Sequence, residues 1–239
     1  MCFACGRKSG IEIDGELGTV LFTWNFSRKK NRPREEHMNQ KERMLAGLPY
    51  KAWLDGLAEE RLENKKRIYK YNNLPPEAEK EQEELIKEIL GKTGENVHIE
   101  APFHCDYGYN IEVGENFFAN YNLTVLDVGK VRIGKNAQIA PNVSIYTAGH
   151  PIHPDSRNSG YEYGIEVTIG DNVWIGGNVC IMPGVTVGDN VVIGAGSVVT
   201  KDIPDSVIAV RNPCMVVRAI TDGDRDFYYR DRRFDVDDY

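Results

Sequence analysis

The sequence carries too few basic residues for a protein that binds nucleic acid. Its 29 Lys and Arg are outnumbered by 36 Asp and Glu, for a net charge of −7 at pH 7, whereas phosphate contacts need clustered Lys and Arg. No stretch approaches the roughly 18 apolar residues of a membrane-spanning helix. The first residues also lack the charged start and long apolar core of a secretory signal. We therefore expect neither a nucleic-acid nor a membrane partner.

Cysteine is also scarce, with five residues scattered along the chain. An odd number without regular spacing does not suit a disulfide framework, and it favours a reduced, cytoplasmic protein. The cysteines are Cys2, Cys5, Cys105, Cys180 and Cys214.

Residues 1–37 show no periodicity that connects them to the rest of the chain. They contain Cys2-x-x-Cys5 and a glycine-rich stretch, and Met38 begins a segment typical of a protein start. We expect an extension of uncertain order. The alternative is a small arm that binds a metal or a partner, although one CxxC without a second pair is weak evidence for zinc.

Residues 38–95 have the pattern of a helical region. Charged stretches with apolar residues on one face predict helices over 41–46, 55–71 and 77–90, and Gly or Pro residues separate them. Residues 218–239 are predicted to form a helical tail with a short C-terminal helix.

A six-residue period replaces the helical pattern over residues 96–217. Branched aliphatic residues recur at every sixth position, and glycine directly follows four of them. The same period occurs upstream at Ile133, Ile139 and Ile145, before an inserted loop at about 151–166. The downstream series is Ile169, Ile175, Ile181, Val187, Ile193 and Val199. A fixed period of this kind identifies a solenoid.

The period predicts a mainly β fold, a left-handed parallel β-helix preceded by the helical segment. Each repeat of six supplies one short strand and one turn, and its aliphatic residue points into a narrow core. Three repeats would close a triangular coil of 18 residues, with coils stacked at about 4.8 Å. A β-sandwich is the alternative, but its period would be two and its loops irregular.

The clearest interruption of the repeat is the segment Tyr146–His153, where His150 opens the inserted loop. A histidine with an ordinary pKa of about 6.5 can accept a proton from a hydroxyl near neutral pH. We expect it to face a groove between neighbouring chains. A hydrogen-bonded structural histidine is the alternative.

Several long motifs in residues 38–233 resemble the maltose and galactoside O-acetyltransferases of the hexapeptide-repeat family, with the maltose branch nearest. They are Phe103–Ile111, Asn116–Asn120, Leu126–Val128, the His150-Pro151 pair, Val173–Gly177 and Gly194–Asp202.

The resemblance implies an acetyl-CoA-dependent acetyltransferase that works as a homotrimer, with its sites between subunits and no permanently bound cofactor or metal. His150 would be the general base in a direct transfer from acetyl-CoA to a hydroxyl of a small sugar. The residues expected at the acceptor are Asp106, Phe118, Asn120 and Asp127.

The resemblance also implies an acetyl-CoA site. Trp174 would offer a flat apolar wall, and glycine or alanine would let the pantetheine chain approach the backbone. Cationic donors would meet the phosphates, although Met215 stands where the family usually has a further basic residue. The expected residues are Asn120, Trp174, Gly177, Ala195, Thr200, Lys201 and Arg218.

Three other functions are compatible with a β-helix. One is an acetyltransferase with a non-sugar acceptor, and another is a scaffold without catalytic activity. The third is a metal-dependent hydratase similar to the gamma-class carbonic anhydrases, which would need three histidines converging on zinc. The histidines available in the repeat region are His98, His104, His150 and His153.

Overall fold

The computed structural model describes residues 38–238. Within this range three helices precede the repeats: α1 (Gln40–Leu45), α2 (Leu57–Asn72) and α3 (Glu79–Ile89). Asn39 caps α1, because its side chain accepts a hydrogen bond from the Glu42 N–H while the Glu42 carboxylate accepts one from the Asn39 N–H. The predicted helical region is therefore present, and the predictions for residues 1–37 lie outside the described chain.

Twenty-one short strands follow the helices. The first ten are β1 (Lys92–Thr93), β2 (His98–Ile99), β3 (Phe103–Cys105), β4 (Ile111–Val113), β5 (Phe118–Ala119), β6 (Leu123–Leu126), β7 (Val131–Ile133), β8 (Gln138–Ile139), β9 (Ser144–Tyr146) and β10 (Ala148–Gly149). After helix α4 (Pro154–Asn158) come β11 (Tyr163–Gly164), β12 (Val167–Ile169), β13 (Trp174–Ile175), β14 (Cys180–Ile181), β15 (Thr186–Val187), β16 (Val192–Ile193), β17 (Val198–Val199), β18 (Val207–Val210), β19 (Met215–Ala219), β20 (Phe227–Tyr229) and β21 (Arg232–Arg233).

Parallel ladders arrange most of these strands into three faces. The first face contains β1, β4, β7, β12 and β15, the second contains β2, β5, β8, β13, β16 and β18, and the third contains β3, β6, β9, β14 and β17. The chain visits the three faces in turn, so the predicted parallel β-helix is confirmed.

The interior is a column of aliphatic side chains supplied by the six-residue period. The six predicted positions from Ile169 to Val199 are each at most 1% exposed. Burying one such side chain contributes about 1.5–3 kcal/mol. Side chains from α2 and α3, including Ile68 and Ile86, join this core at the first coil, so the helices cover that end of the β-helix.

The coils are not all 18 residues long. The prediction of 18 was wrong for the coils between Ile99 and Ile175. Ile99 pairs with Ala119 and Ala119 with Ile139, so these coils advance by 20 residues. Ile139 pairs with Ile175, an advance of 36, and Ile175 pairs with Ile193, an advance of 18. The ladder register is kept throughout, so the extra residues must lie at the corners.

All of that excess up to Ile169 lies at one corner, between the third and first faces. From Cys105 to Val113 and from Val125 to Ile133 the inward positions are eight apart instead of six. We call this the insertion corner; it comprises residues 106–110, 126–130 and 146–166 in successive coils. The loop predicted at about 151–166 lies there and contains α4 and β11, and β11 pairs antiparallel with β10, which directly precedes the loop.

The predicted helical C-terminal tail was wrong. Residues after Cys214 form β19, a single 3-10 turn over Asp222–Asp226, and the hairpin of β20 and β21. β19 pairs antiparallel with β18 and so satisfies the open edge of the second face, for which its Val-rich sequence is well suited. None of the helices within residues 38–238 has the length and apolarity needed to cross a membrane.

Replacing Ile175 by Ala is expected to lower the free energy of unfolding by about 2–5 kcal/mol, because the side chain is fully buried and its removal leaves a cavity. Denaturant unfolding at one protein concentration measures the change. Val192→Ala is the matched control, since Val192 pairs with Trp174 in the neighbouring ladder position and points outward. Equal losses for the two variants would contradict this description of the core.

Candidate active site

Three successive coils place polar residues at the insertion corner. Asp106 belongs to the first longer segment, Asp127 to the second, and His150 to the loop in the third. Because stacked coils are about 4.8 Å apart, residues at one corner of neighbouring coils lie close together. The structure therefore brings three of the predicted site residues to the same edge of the β-helix.

The buried carboxylate of Asp127 is hydrogen-bonded to the backbone of the insertion corner. Its carboxylate accepts the backbone N–H groups of Asp106 at 2.8 Å, Tyr107 at 2.9 Å and Gly108 at 2.7 Å. Burial raises the pKa of Asp127 to about 6, while these backbone donors oppose the rise. The side chain has 0% exposure. The Asp127 carboxylate therefore holds the turn that carries Asp106, and a direct contact of Asp127 with the acceptor stays a prediction.

Asp106 is half-buried beside two charged residues that were not singled out in the sequence. Burial raises the pKa of its carboxyl, the Arg61 charge opposes that rise and the Glu162 charge adds to it. The Arg61 guanidinium also donates a hydrogen bond to the Tyr107 hydroxyl at 2.9 Å. Arg61 lies among charged residues of α2, so its sequence context resembles a solvated helix face and gives no signal of this position.

His150 is exposed at the start of the loop. No hydrogen bond or ion pair of its imidazole is formed with any other part of residues 38–238. The preceding Gly149 pairs with Tyr163, and a Cβ at Gly149 would lie 2.6 Å from the Tyr163 ring. This close approach requires glycine beside the histidine, and the imidazole is left available to a ligand.

The far end of the loop is fastened to the segment between α1 and α2. Tyr50 and Glu162 exchange backbone hydrogen bonds of 2.9 and 3.1 Å, and the Tyr50 hydroxyl also bonds to the Glu162 carboxylate. Gly160 has a φ of +84°, and a Cβ there would lie 2.2 Å from the Trp53 ring. The loop that begins at His150 is thus held by residues far away in sequence.

Three of the predicted acetyl-CoA residues lie at a different corner. Asn120, Gly177 and Ala195 follow β5, β13 and β16, at the turn from the second face to the third, which we call the glycine corner. A Cβ at Gly176 would lie 2.6 Å from the Ala195 N atom, so glycine is needed for this coil spacing. The Asn120 side-chain oxygen accepts the Tyr121 N–H at 2.7 Å.

The second face carries the aromatic members of the predicted site. Phe118 and Trp174 are 37% and 55% exposed and point outward from neighbouring ladder positions on either side of Gln138. The Phe118 ring stacks on His98 with centroids 5.7 Å apart. Trp174 therefore presents an open apolar surface next to the glycine corner.

The residues predicted to meet the phosphates are separated. Thr200 and Lys201 follow β17, at the upper part of the edge that carries the insertion corner. Arg218 lies on β19, opposite Ile208 of the second face. Its guanidinium makes a bidentate contact with the Asp224 carboxylate at 2.6 and 2.7 Å, which was not foreseen.

One chain does not bring these sets together. The third face lies between the glycine corner and the insertion corner, and about six residues at roughly 3.3 Å each make it on the order of 15–20 Å wide. His150 and Trp174 therefore lie on opposite sides of the third face of the same β-helix. Within residues 38–238, no three His, Cys, Asp or Glu side chains are grouped so that they could hold a metal ion.

Comparison with known proteins identifies the family of this chain. Residues 43–94 match the maltose acetyltransferase hexapeptide capping motif, and residues 166–201 match the bacterial transferase hexapeptide model of six repeats. The chain is 47% identical to the galactoside O-acetyltransferase of Escherichia coli K12 over 195 residues, which is 82% of this chain and 96% of that protein. The chain belongs to the galactoside and maltose O-acetyltransferase family. Its predicted enzyme class, O-acetyltransferase, is thereby confirmed.

Other members of the family support the assignment. A putative acetyltransferase of Saccharomyces cerevisiae is 53% identical over 77% of this chain and 94% of its own length. A galactoside acetyltransferase solved in complex with coenzyme A superposes with a TM-score of 0.81 at 46% identity, over 84% of this chain and 100% of that one. A maltose O-acetyltransferase from Clostridium difficile 630 gives a TM-score of 0.77 at 54% identity, over 77% and 99%.

Replacing Asp127 by Ala in this O-acetyltransferase is expected to lower the free energy of unfolding by about 3 kcal/mol or more. Three buried backbone N–H groups would lose their acceptor, and each unsatisfied group costs about 1–3 kcal/mol. Denaturant unfolding measures the loss, and acetyl transfer should fall as well because the turn bearing Asp106 would shift.

The control for Asp127→Ala is Asp171→Ala. The Asp171 carboxylate accepts the Lys135 N–H at 2.9 Å at an exposed corner of the same β-helix. Its loss is expected to cost about 1 kcal/mol, because water can replace the carboxylate. Similar costs at the two positions would show that Asp127 has no special role.

Proposed function

We propose that the protein transfers the acetyl group of acetyl-CoA directly to a hydroxyl of a small sugar, with His150 as the general base. The observation that carries the proposal is the exposed imidazole of His150, which has no partner in the described chain and stands at the corner that also holds Asp106. Identities of 47% to a galactoside and 54% to a maltose O-acetyltransferase support a sugar acceptor.

The transfer needs both substrates on the enzyme at once. His150 accepts the proton of the acceptor hydroxyl as its oxygen forms a bond to the thioester carbonyl carbon. The carbon–sulfur bond then breaks, coenzyme A leaves as the thiolate, and the proton held by His150 neutralises it. No covalent bond to the enzyme is formed. General-base catalysis of this kind contributes about 10²–10⁴-fold to the rate.

On the acceptor side we assign binding to Asp106, Asn120 and Phe118. The Asp106 carboxylate can accept two sugar hydroxyls, and the Asn120 amide can both donate and accept. Phe118 offers an apolar ring to the sugar face. Asp127 contributes indirectly, since its three backbone contacts fix the turn that presents Asp106. Arg61 joins this group through its contact with Tyr107.

On the donor side, acetyl-CoA lies along the second face and the glycine corner. Trp174 packs on its apolar part, and Gly177 and Ala195 leave room for the pantetheine chain beside the backbone. Asn120 lies at the same corner, near the thioester.

Thr200, Lys201 and Arg218 receive the phosphates, Thr200 through its hydroxyl and the two cationic residues through charge-assisted hydrogen bonds. Because Met215 stands where the family usually has a further basic residue, the contacts with the phosphates depend mainly on Lys201 and Arg218. In the free chain the Arg218 guanidinium donates to the Asp224 carboxylate and to the Ala219 carbonyl, so a phosphate competes with these acceptors for its donors.

The separation of His150 at the insertion corner from Trp174 beside the glycine corner supports a homotrimer. A closed ring in which each glycine corner faces the insertion corner of the next copy would form three equal sites. His150 of one copy would then meet the Trp174 side of its neighbour. We place this enzyme in the cytoplasm, consistent with Cys105 and Cys214, which form no disulfide in the described chain.

His150→Ala is expected to lower kcat for acetyl transfer by about 10²–10⁴-fold, because no other group at the corner replaces the base. The Kd for acetyl-CoA should stay within about twofold of the wild-type value. Thiol release measures kcat, and calorimetry measures Kd.

The matched control is His153→Ala on the same loop. The His153 side chain accepts the Asp155 N–H at 3.3 Å as a helix cap and lies 3.7 Å from the Asp155 carboxylate. Both contacts stay within the loop, so its removal should leave kcat within about threefold. An unchanged kcat in His150→Ala would remove His150 from the mechanism.

A panel of glucosides, galactosides, maltose and amines tests the acceptor class at saturating acetyl-CoA. We expect kcat/KM for the best sugar to exceed that for the best amine by at least about 100-fold, because Asp106 and Asn120 are suited to hydroxyl groups. Thiol release gives the rates, and mass spectrometry identifies the acetylated product. Preference for an amine would replace the sugar acceptor and leave the acetyl-CoA chemistry standing.

A further inference from the structure

Arg211 stands at the top of the glycine corner in a backbone conformation that arginine rarely adopts. Its φ of +91° is the largest positive φ of any non-glycine residue within residues 38–238, where most of the non-glycine residues with positive φ are asparagine. A residue with a Cβ is strained in this region, and such strain is concentrated at ligand sites. The strained turn therefore points to a role for the arginine side chain.

The ladder register places Arg211 above the residues assigned to the pantetheine chain. Ile193 pairs with Ala209 of β18. Two residues after this pair come Ala195 and Arg211, and Gly177 holds the same place one coil below. The corner therefore carries two small residues and then a cation. Acetyl-CoA has the same order from its thioester end, an uncharged arm followed by phosphates.

The height of the glycine corner matches the length of the uncharged arm of acetyl-CoA. From Ala119, which precedes Asn120, to Ala209 the ladder advances by four coils, and at roughly 4.8 Å per coil this is about 19 Å. At about 1.2 Å per bond, as in extended peptide chain, the roughly thirteen bonds from the thioester sulfur to the first phosphorus span on the order of 16 Å. With the thioester near Asn120, the diphosphate therefore reaches the level of Arg211.

The turn that carries Arg211 is fixed, whereas its guanidinium is not engaged. The Arg211 carbonyl accepts the Val198 N–H at 3.2 Å, and the Val198 carbonyl accepts the Cys214 N–H at 2.8 Å. The Arg211 side chain is exposed, and it forms no hydrogen bond or ion pair within residues 38–238. Arg218, by contrast, donates to the Asp224 carboxylate. Arg211 can therefore bind an anion without first losing a protein partner.

We propose that Arg211 binds the diphosphate of acetyl-CoA and thereby sets the position of the donor along the glycine corner. The guanidinium presents a planar fork of N–H donors that suits two phosphate oxygens. Because Arg211 lies far from the thioester, it affects the affinity for the donor and not the chemical step. The inference rests on the proposed function, to whose donor site it adds a cationic residue.

The test replaces Arg211 by Gly in the full chain, which removes the charge and suits the backbone of the turn. Calorimetry is expected to give a Kd for acetyl-CoA that is about tenfold higher, the effect of losing one charge-assisted contact. In thiol release the KM for acetyl-CoA should rise by the same factor, while kcat stays within about twofold. The melting temperature should not fall, because positive φ favours glycine. Arg211→Lys should keep the Kd within about threefold, because the charge remains.

Arg230→Gly is the matched control. Arg230 is also exposed and has a positive φ of +52°, and it lies between β20 and β21 with its guanidinium 5.1 Å from the centroid of the Tyr229 ring. The substitution changes the net charge by the same amount away from the glycine corner, so the Kd for acetyl-CoA should stay within about twofold. An equal rise of the Kd in both variants would indicate a general effect of charge and would overturn the role of Arg211.

Two truncated donors identify the group that Arg211 contacts. The 3′-dephospho form of acetyl-CoA keeps the diphosphate, so Arg211→Gly should weaken its binding by the same factor as that of acetyl-CoA. S-acetylpantetheine has no phosphate, and its KM should be the same for the variant and the wild-type protein. If the variant weakens only the binding of acetyl-CoA itself, Arg211 contacts the 3′-phosphate and the assignment to the diphosphate is overturned.

The failure of this inference can be distinguished from the failure of the proposed function. If the wild-type protein and Arg211→Gly bind acetyl-CoA with equal Kd, the role of Arg211 is wrong and the acetyl-CoA site stands. If calorimetry detects no binding of acetyl-CoA to the wild-type protein, the donor of the proposed function and the role of Arg211 are both overturned. Neither result depends on which acceptor is acetylated.

Discussion

The ladder register between coils is the constraint on which the rest of the structure depends. Each coil must return so that its inward side chain lies over the one below, as Ile175 does over Ile139 despite 36 residues between them. Extra chain can be accommodated only where the ladder is interrupted, at the corners. Up to Ile169 this protein collects its extra residues at a single corner, and that corner holds Asp106, Asp127 and His150.

The extra residues at the insertion corner pack on a buried hydrophobic cluster to which the N-terminal segment contributes. Met44, Tyr50 and Leu57 pack with Tyr107 and Val128 in a second buried cluster, separate from the main core. The same segment holds the loop through the Tyr50–Glu162 pairing. The region that matches a capping motif therefore also supports the insertion corner.

The stacking of the coils also keeps the predicted site residues of one chain from forming a single site. A triangular β-helix displays its faces in different directions, so the third face separates Asp106 and His150 at the insertion corner from Trp174 and the glycine corner. The proposed ring of three copies joins them because the glycine corner and the insertion corner flank that face.

The sequence by itself determined the period, the buried aliphatic series, the parallel β-helix, the inserted loop and the family to which the chain belongs. It also indicated His150, because a residue that interrupts a regular repeat is visible without knowledge of its neighbours. These features follow from local closure of six residues at a time.

Only the tertiary structure decided the roles that depend on neighbouring coils. The burial of Asp127 under three backbone N–H groups, the charges of Arg61 and Glu162 around Asp106, and the pairing of β19 with β18 join residues whose proximity no local pattern records. An aspartate at a turn has the same sequence signature whether its carboxylate faces water or backbone amides. The distinction arises from which residues the preceding coil places beneath it.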